Sequence, residues 1–264
     1  MALNHTHQAY PNSVLEITIE DQYNSHLDLM RFCTLDNSLV GVAGDTKKIR
    51  VYSATDATEK LAMGEGNTKN IEVRYAEKDY TILLAQNRFP YYDEEQMRDP
   101  MVVDVGVRHM TTDMFNHTQA DIFTEFNKAT QVVNASAFDF GAFVDAVAML
   151  PGEDQEEREV FAFVHPNDKA AIRKALKDDL KYVEAYVRSG YIGTVAGVNL
   201  YIKQNAEEGT ICGGTKKAVT FFNKRGVEVE QERDANIRLN EIYSRKYYLV
   251  ALTDENECFK IVKG

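Results

Sequence analysis

The stretch from Lys47 to Gln86 sets the tightest limit on how this chain folds. Ile49 and Val51, then Ile71, Val73 and Tyr75, and then Tyr80, Ile82 and Leu84 alternate with polar residues, the period of half-buried strands. Between the first two runs lies SATDATEKLAMGEGNTKN, eighteen residues that are too many for a tight hairpin turn. A compact domain gains little from such an insertion, so the segment reads as an arm that reaches a neighbour.

A helix start follows in RDPMVVDVG, where Asp99 is placed to cap and Pro100 to take the first helical position, its missing N–H costing nothing there. Met101, Val102, Val105, Met110, Met114, Ile122, Phe123 and Phe126 keep helical spacing as far as about Lys128. About thirty residues in a helix make a rod of roughly 45 Å. Downstream the pattern turns to α/β. DFGAFVDAVAMLPG reads as an amphipathic helix closed by Pro151, and the acidic loop GEDQEERE leads to the strand VFAFVH. HPNDKAAIRKAL reads as a helix capped by Asn167 or Asp168, and GYIGTVAGVNLYIKQN as two short strands hinged at Gly197. The strand KKAVTFFN precedes RGVEVEQERD, in which Val227 and Val229 alternate with Glu228 and Glu230. Two last strands, IYSRKYYLVALT and CFKIVKG, are joined by DENE. Residues 1–13 are polar and expected to be loose, and the apolar residues from Val14 to Leu39 are too irregular to assign. No repeat or linker divides the chain.

A 44% hydrophobic fraction in 264 residues supports a core, and a formal charge of -11 makes polyanions poor partners. Nucleic acid near such a chain is expected to be enclosed, not gripped. Cys33, Cys212 and Cys258 are scattered and read as reduced thiols. The start MALNHTHQAYPNS lacks a secretory signal and no apolar run is long enough to span a bilayer, so a membrane-free product made in a cytoplasm is expected.

Chemistry is sparse. His109, Asp113 and His117 share one face of the long helix, but the outer two are about 12 Å apart by helical rise, too far to share one ion. A solvated polar stripe explains them as well, and His5 and His7 sit on a loose end. Cys212 in TICGGT lacks the Gly-Lys-Ser/Thr ending of a phosphate loop and reads as a turn between strands. His165, at a strand end before a helix, fits either a catalytic position or a turn residue. Glu153, Asp154, Glu156 and Glu157 lack the spacing of a calcium loop. No catalytic residue, cofactor site or metal site is therefore assigned, and a non-enzymatic, structural role is expected.

The order of parts resembles the major capsid proteins of tailed bacteriophages, the Hong Kong 97-type fold shared with encapsulin shells. The resemblance runs through RDP opening the long helix, DFGAFVDAVAML with VFAFVHPNDKAAIRKAL, GYIGTVAGVNLYIKQN, and the closing KKAVTFFNKRGVEVEQERD and YYLVALTDENECFKIVKG. It implies an α+β capsid fold with an N-terminal arm (1–46), an extended loop (47–86), a peripheral domain with a spine helix (87–132), an axial domain (133–236) and returning peripheral strands (237–264). It further implies hexamers and pentamers in an icosahedral shell around double-stranded DNA, held without sequence-specific contacts, in a virion assembled in the host bacterial cytoplasm. Implied partners are other copies of the chain, a portal, a decoration protein and a scaffolding protein, the last encoded separately because the arm begins almost at Met1. The loop tip, Lys60, Leu61, Met63, Glu65, Asn67 and Lys69, supplies the candidate inter-subunit contacts. Some family members cross-link lysine to asparagine; Lys60 and Lys69 are the lysines to test, and no cross-link is expected. The alternatives are an encapsulin-like cellular compartment and an α/β enzyme using His165 or the His109–Asp113 pair.

Overall fold

The computed structural model describes residues 27–55, 57–151, 158–176 and 193–264. Expectations on residues 1–26, on Glu153, Asp154, Glu156 and Glu157, and on Gly190–Ile192 lie outside the described residues. A 3-10 turn, Met30–Phe32, leads to β1 (Thr34–Asp36). The arm is β2 (Thr46–Ala54) and β3 (Val73–Thr81), and β4 (Leu83–Tyr92) carries β3 onward into the body. Then come α1 (Asp93–Arg98), α2 (Met101–Phe126), β5 (Gln131–Ala135), α3 (Phe140–Ala148), β6 (Val160–Val164) and α4 (Pro166–Ala175). The chain closes with β7 (Thr194–Val195), β8 (Val198–Ile202), β9 (Thr210–Gly214), β10 (Val219–Asp234), β11 (Leu239–Leu252) and β12 (Cys258–Lys263).

These strands form a four-stranded sheet in the order β1-β10-β11-β4, a six-stranded sheet in the order β5-β12-β9-β6-β8-β7, and the two-stranded arm. KKAVTFFN and RGVEVEQERD, read separately in the sequence, join into the single strand β10, whose register against β11 shifts at Asn223, Arg225 and Glu228. Such irregularities let one strand change direction without ending. The pairing also divides the last two strands, which the sequence reading kept in one unit. β11 lies beside β4, whereas β12 inserts between β5 and β9 in the other sheet.

One aromatic cluster ties the two sheets together. Phe126 of α2 meets Phe161 and Phe163 of β6 at ring-centroid distances of 5.6 and 5.5 Å, and Phe32 meets Phe161 at 4.6 Å. The same core takes Val219 and Phe221 from β10 and Tyr248, Val250 and Leu252 from β11. The long helix is thus anchored at its C-terminal end, through the stripe Met110, Met114, Thr118, Ile122 and Phe126 at intervals of four. A second core fills the six-stranded sheet against α3 and α4, with Phe143, Ile172 and Phe259 fully buried.

The caps differ from expectation in detail. Pro100 stands just before α2 and not inside it, while the Asp99 carboxylate accepts from Met101 N at 3.0 Å. The preceding turn is helical too, forming α1, which the sequence reading did not assign. His165, not Asn167 or Asp168, caps α4: its Nδ1 accepts from Asn167 N at 3.2 Å. Asp168 instead points back to the β8–β9 connection and accepts from Gly209 N at 2.9 Å. The hinge expected at Gly197 lies at the edge of the six-stranded sheet, with Ala196 at φ 49° and Gly197 at φ 81° between Val195 and Val198. Paired positive φ values make this a tight turn whose twist matches its strands.

Cys212 lies within strand β9 and not in a turn. The glycines after it answer a steric demand: a Cβ on Gly213 would stand 2.2 Å from the Phe161 carbonyl oxygen, and one on Gly214 2.3 Å from that of Glu257. Backbones approach here too closely for any side chain. Gly213→Ala is expected to destabilise the fold by about 1–3 kcal/mol or more, because neighbouring backbone cannot yield as a side chain would. Gly66→Ala, with nothing within 4 Å of the added carbon, serves as the near-neutral control. Urea midpoints of the two variants check the contrast.

Candidate assembly interface

The arm is built by cross-strand pairing that runs from Thr46↔Thr81 to Ala54↔Val73. Its base is held on the four-stranded sheet. Ile49, Tyr80 and Ile82 pack on Phe222, Leu249 and Ala251, and the Tyr80 hydroxyl donates to Leu252 O at 3.1 Å. Lys47 Nζ lies 3.9 Å from the Phe222 ring centroid and donates to Ser38 Oγ at 2.9 Å. Ser38 N also donates to Asp36 at 2.7 Å, and with Lys47 beside it this holds the Asp36 carboxyl below its ordinary range. Lys78 pairs with Glu255 on the far side of the base.

Beyond the base the arm has no cover among the described residues. The expectation of half-buried strands is corrected here, since β3 is exposed on both faces except at Tyr80. Paired residues share a face, which sorts the arm chemically. One face carries Lys48 with Asp79, Arg50 with Glu77, Tyr52 with Tyr75 and Ala54 with Val73; the other carries Val51 with Ala76. Tyr52, Val73 and Tyr75 are each more than 60% exposed, and the two tyrosine rings lie 6.1 Å apart. The adjacency of Val51 and Tyr52 was the available sequence signal, because apolar residues on successive positions occupy opposite faces of a strand.

The tip is a self-supporting loop. Glu59 accepts from Thr68 N at 2.8 Å and from its hydroxyl at 2.9 Å, and faces Lys69 Nζ at 3.9 Å. The Thr68 amide holds the Glu59 carboxyl below its ordinary range. Of the tip candidates, Glu65 accepts from Ala62 N at 3.2 Å and Asn67 donates to Lys69 O at 2.6 Å, so Glu65, Asn67 and Lys69 are occupied in shaping the loop. Lys60, Leu61 and Met63 are exposed, Met63 completely.

The chemical candidates do not converge. Among the described residues no group of three His, Cys, Asp or Glu side chains is placed to hold a metal ion. His109, Asp113 and His117 remain strung along α2, and His165 is occupied in capping. The three thiols are buried, which pushes those of Cys33 and Cys258 up to about 12 and holds them protonated at neutral pH. No helix among the described residues is long and apolar enough to cross a membrane.

A two-sheet body with a spine helix and a projecting two-stranded arm is the Hong Kong 97-type capsid fold, and in sequence the chain is similar to a tailed-phage major capsid protein. No family model matches it. A curated relative, the major capsid protein of Staphylococcus phage phiMR11, is 26% identical over 95% of this chain and 92% of its own. A solved chain from Mycobacterium phage Che8 superposes with a TM-score of 0.76 at 15% identity, covering 99% of both chains. A chain of the holo-SrpI encapsulin complex from Synechococcus elongatus superposes with a TM-score of 0.64 at 12% identity, over 89% of this chain and 86% of its own. The fold is common to both kinds of shell; the curated relative is a phage protein.

Glu59→Ala is expected to raise deuterium uptake at residues 58–69 severalfold near neutral pH while leaving β10 and β11 unchanged. On acidification the wild-type tip should lose protection likewise, once uptake is corrected for the slower intrinsic exchange at low pH. A carboxyl held low in the folded arm contributes above its free-chain range, about 4.3, and that contribution is lost as pH falls through the lower folded value. Hydrogen-exchange mass spectrometry at several pH values reads both effects.

Proposed function

We propose that this chain forms hexamers and pentamers which close into an icosahedral shell around the double-stranded DNA of a tailed phage. The arm carries this reading. Its two strands expose apolar and aromatic side chains that the body does not cover, together with backbone edges open to pairing. Such a structure gains its stability by lying on another copy of the chain. Residues 47–86 then act as the extended loop, with Lys60, Leu61 and Met63 leading the inter-subunit contacts of the tip. Glu65, Asn67 and Lys69 set the shape that presents them.

In this assignment the four-stranded sheet with α2 forms the peripheral body and the six-stranded sheet with α3 and α4 the axial body around each capsomer centre. β12 belongs with the axial sheet that it pairs into. The protein works as structure and not as an enzyme, in a virion assembled in the host cytoplasm with separate scaffolding, portal and decoration proteins. The seven basic and six acidic residues of 46–81 leave the arm near neutral, while the whole chain carries -11. An acidic container repels the nucleic acid that it encloses, which favours release and resists sticking.

Negative-stain microscopy and light scattering of the protein expressed alone test the assembly. The full chain is expected to give shells or capsomer rings, and deletion of Ala54–Lys69 to abolish them while leaving a folded subunit. A small oligomer indifferent to the deletion, both alone and with a co-expressed scaffolding protein, would sink the proposal. Assembled empty shells are separately expected to retain no free DNA at moderate salt in a filter-binding assay.

A further inference from the structure

Helix α3 is apolar on every side. Ala142, Phe143 and Ala146 are buried against the six-stranded sheet, while Phe140, Gly141, Val144, Asp145, Ala148 and the capping Met149 make up the outward half. Phe140, Val144 and Met149 are 52%, 42% and 41% exposed, and Asp145 is the one polar side chain of the helix. A helix that is hydrophobic all round belongs in an interior. The charge nearby in the chain is acidic: Asp139 caps α3 by accepting from Ala142 N at 2.9 Å, and no Lys or Arg occurs between Lys128 and Arg158. A surface that fits this half of α3 is therefore small or apolar at its centre and basic at its rim.

Helix α4 has that character, at the other end of the same sheet. Both helices pack into one core, α3 over β5 and β12, and α4 in the connection from β6 to its parallel partner β8. Asp168 and Ile172 are the buried side of α4; Ala170 and Lys174 form its outward ridge, with Asn167 and Arg173 beside them. The carboxylate of Asp168 is taken up by Gly209 N, and Glu208 stands at the N-terminal end, where Asn167 donates to it at 3.4 Å. Positive charge is left at the C-terminal half. Burial first, and then the neighbouring Arg173 guanidinium, pull the Lys169 amine down.

We propose that α3 of one copy packs against α4 of the next copy in the capsomer, with Phe140 and Val144 over Ala170 and Asp145 beside Lys174. This rests on the capsomer reading above and names the surfaces that meet. The small Ala170 leaves room for larger side chains from a helix about 8–10 Å away. Because the two helices occupy different ends of one sheet, the contact is head-to-tail and repeats around a ring.

Val144→Cys and Lys174→Cys, introduced together in the full-length chain, test it with a short bis-maleimide and a denaturing gel. The three native thiols are buried and stay silent. The expected product is a ladder of cross-linked chains reaching the capsomer size, with neither single variant giving one. Dimers from Val144→Cys alone would place α3 against α3 and overturn the proposal. Rings seen by negative stain without a ladder would overturn it too, while leaving the capsomer reading standing. Absence of rings and ladder alike, alone and with a co-expressed scaffolding protein, would overturn both. Independently, Asp145→Lys is expected to lower the assembled fraction severalfold with far-UV circular dichroism unchanged, and Lys174→Glu in the same chain to restore it; failure of that rescue counts against the contact.

Discussion

The contact on which the rest of the subunit depends is the aromatic junction of Phe32, Phe123, Phe126, Phe161 and Phe163. These rings come from the 3-10 turn, the C-terminal end of α2 and the middle of β6, and their centroids lie 4.6–6.1 Å apart. Tilted and edge-on pairings of this kind add to the area they bury. Removing one such ring from a core costs about 3–5 kcal/mol, a large share of the stability of a typical domain. More than stability is at stake, because the same core takes residues from both sheets and joins them. Phe126 and Cys258 extend the link, the thiol lying 3.5 Å from Phe126 O at the start of β12.

In the proposed assembly the arm needs the opposite property, a surface that is adhesive only in the right place. Its two edge strands carry Lys48, Arg50, Arg74 and Lys78, and cross-strand pairs join Lys48 to Glu77 and Asp79 at 3.4 and 3.6 Å. Exposed ion pairs contribute little to stability. Charges along a strand edge nevertheless discourage indiscriminate pairing with other edges, leaving the apolar patch around Tyr52, Val73 and Tyr75 as the preferred contact. A shell repeats each contact many times, so weak individual contacts suffice and wrong ones can still dissociate.

Much of this was legible because alternation and helical spacing are local. Ile49 and Val51 announced β2, the RDP triplet announced α2, and Ala196–Gly197 announced a hinge. What escaped depends on contacts distant in sequence. Gly213 and Gly214 resemble a loop when read along the chain, and only the approach of β6 and the turn before β12 shows them to be spacers. His165 had a reactive side chain at a plausible strand end, yet its ring nitrogen is consumed by the neighbouring amide. β12 looked like a partner of β11 because they adjoin in sequence; the short turn Glu255–Glu257 instead sends it to the other sheet, where Glu257 is buried against Arg158 and Thr215. The exposure of β3 was hidden for a related reason, since alternation reveals that a face is apolar but not whether the same chain covers it.

Ile82 stands alone between β3 and β4, its amide donating to Asp45 O at 2.8 Å and its side chain packed on the body. The arm is in effect a lever clamped at its base, where Ile49, Tyr80 and Ile82 pack on the body. Nine residues of strand make that lever about 30 Å long, so a rotation of about 10° at the clamp carries the tip about 5 Å. In the proposed shell, small torsional changes near Ile82 would let one covalent structure meet neighbours placed at slightly different angles. Quasi-equivalent packing would then be a mechanical property of a single joint, with the two rigid sheets left undisturbed.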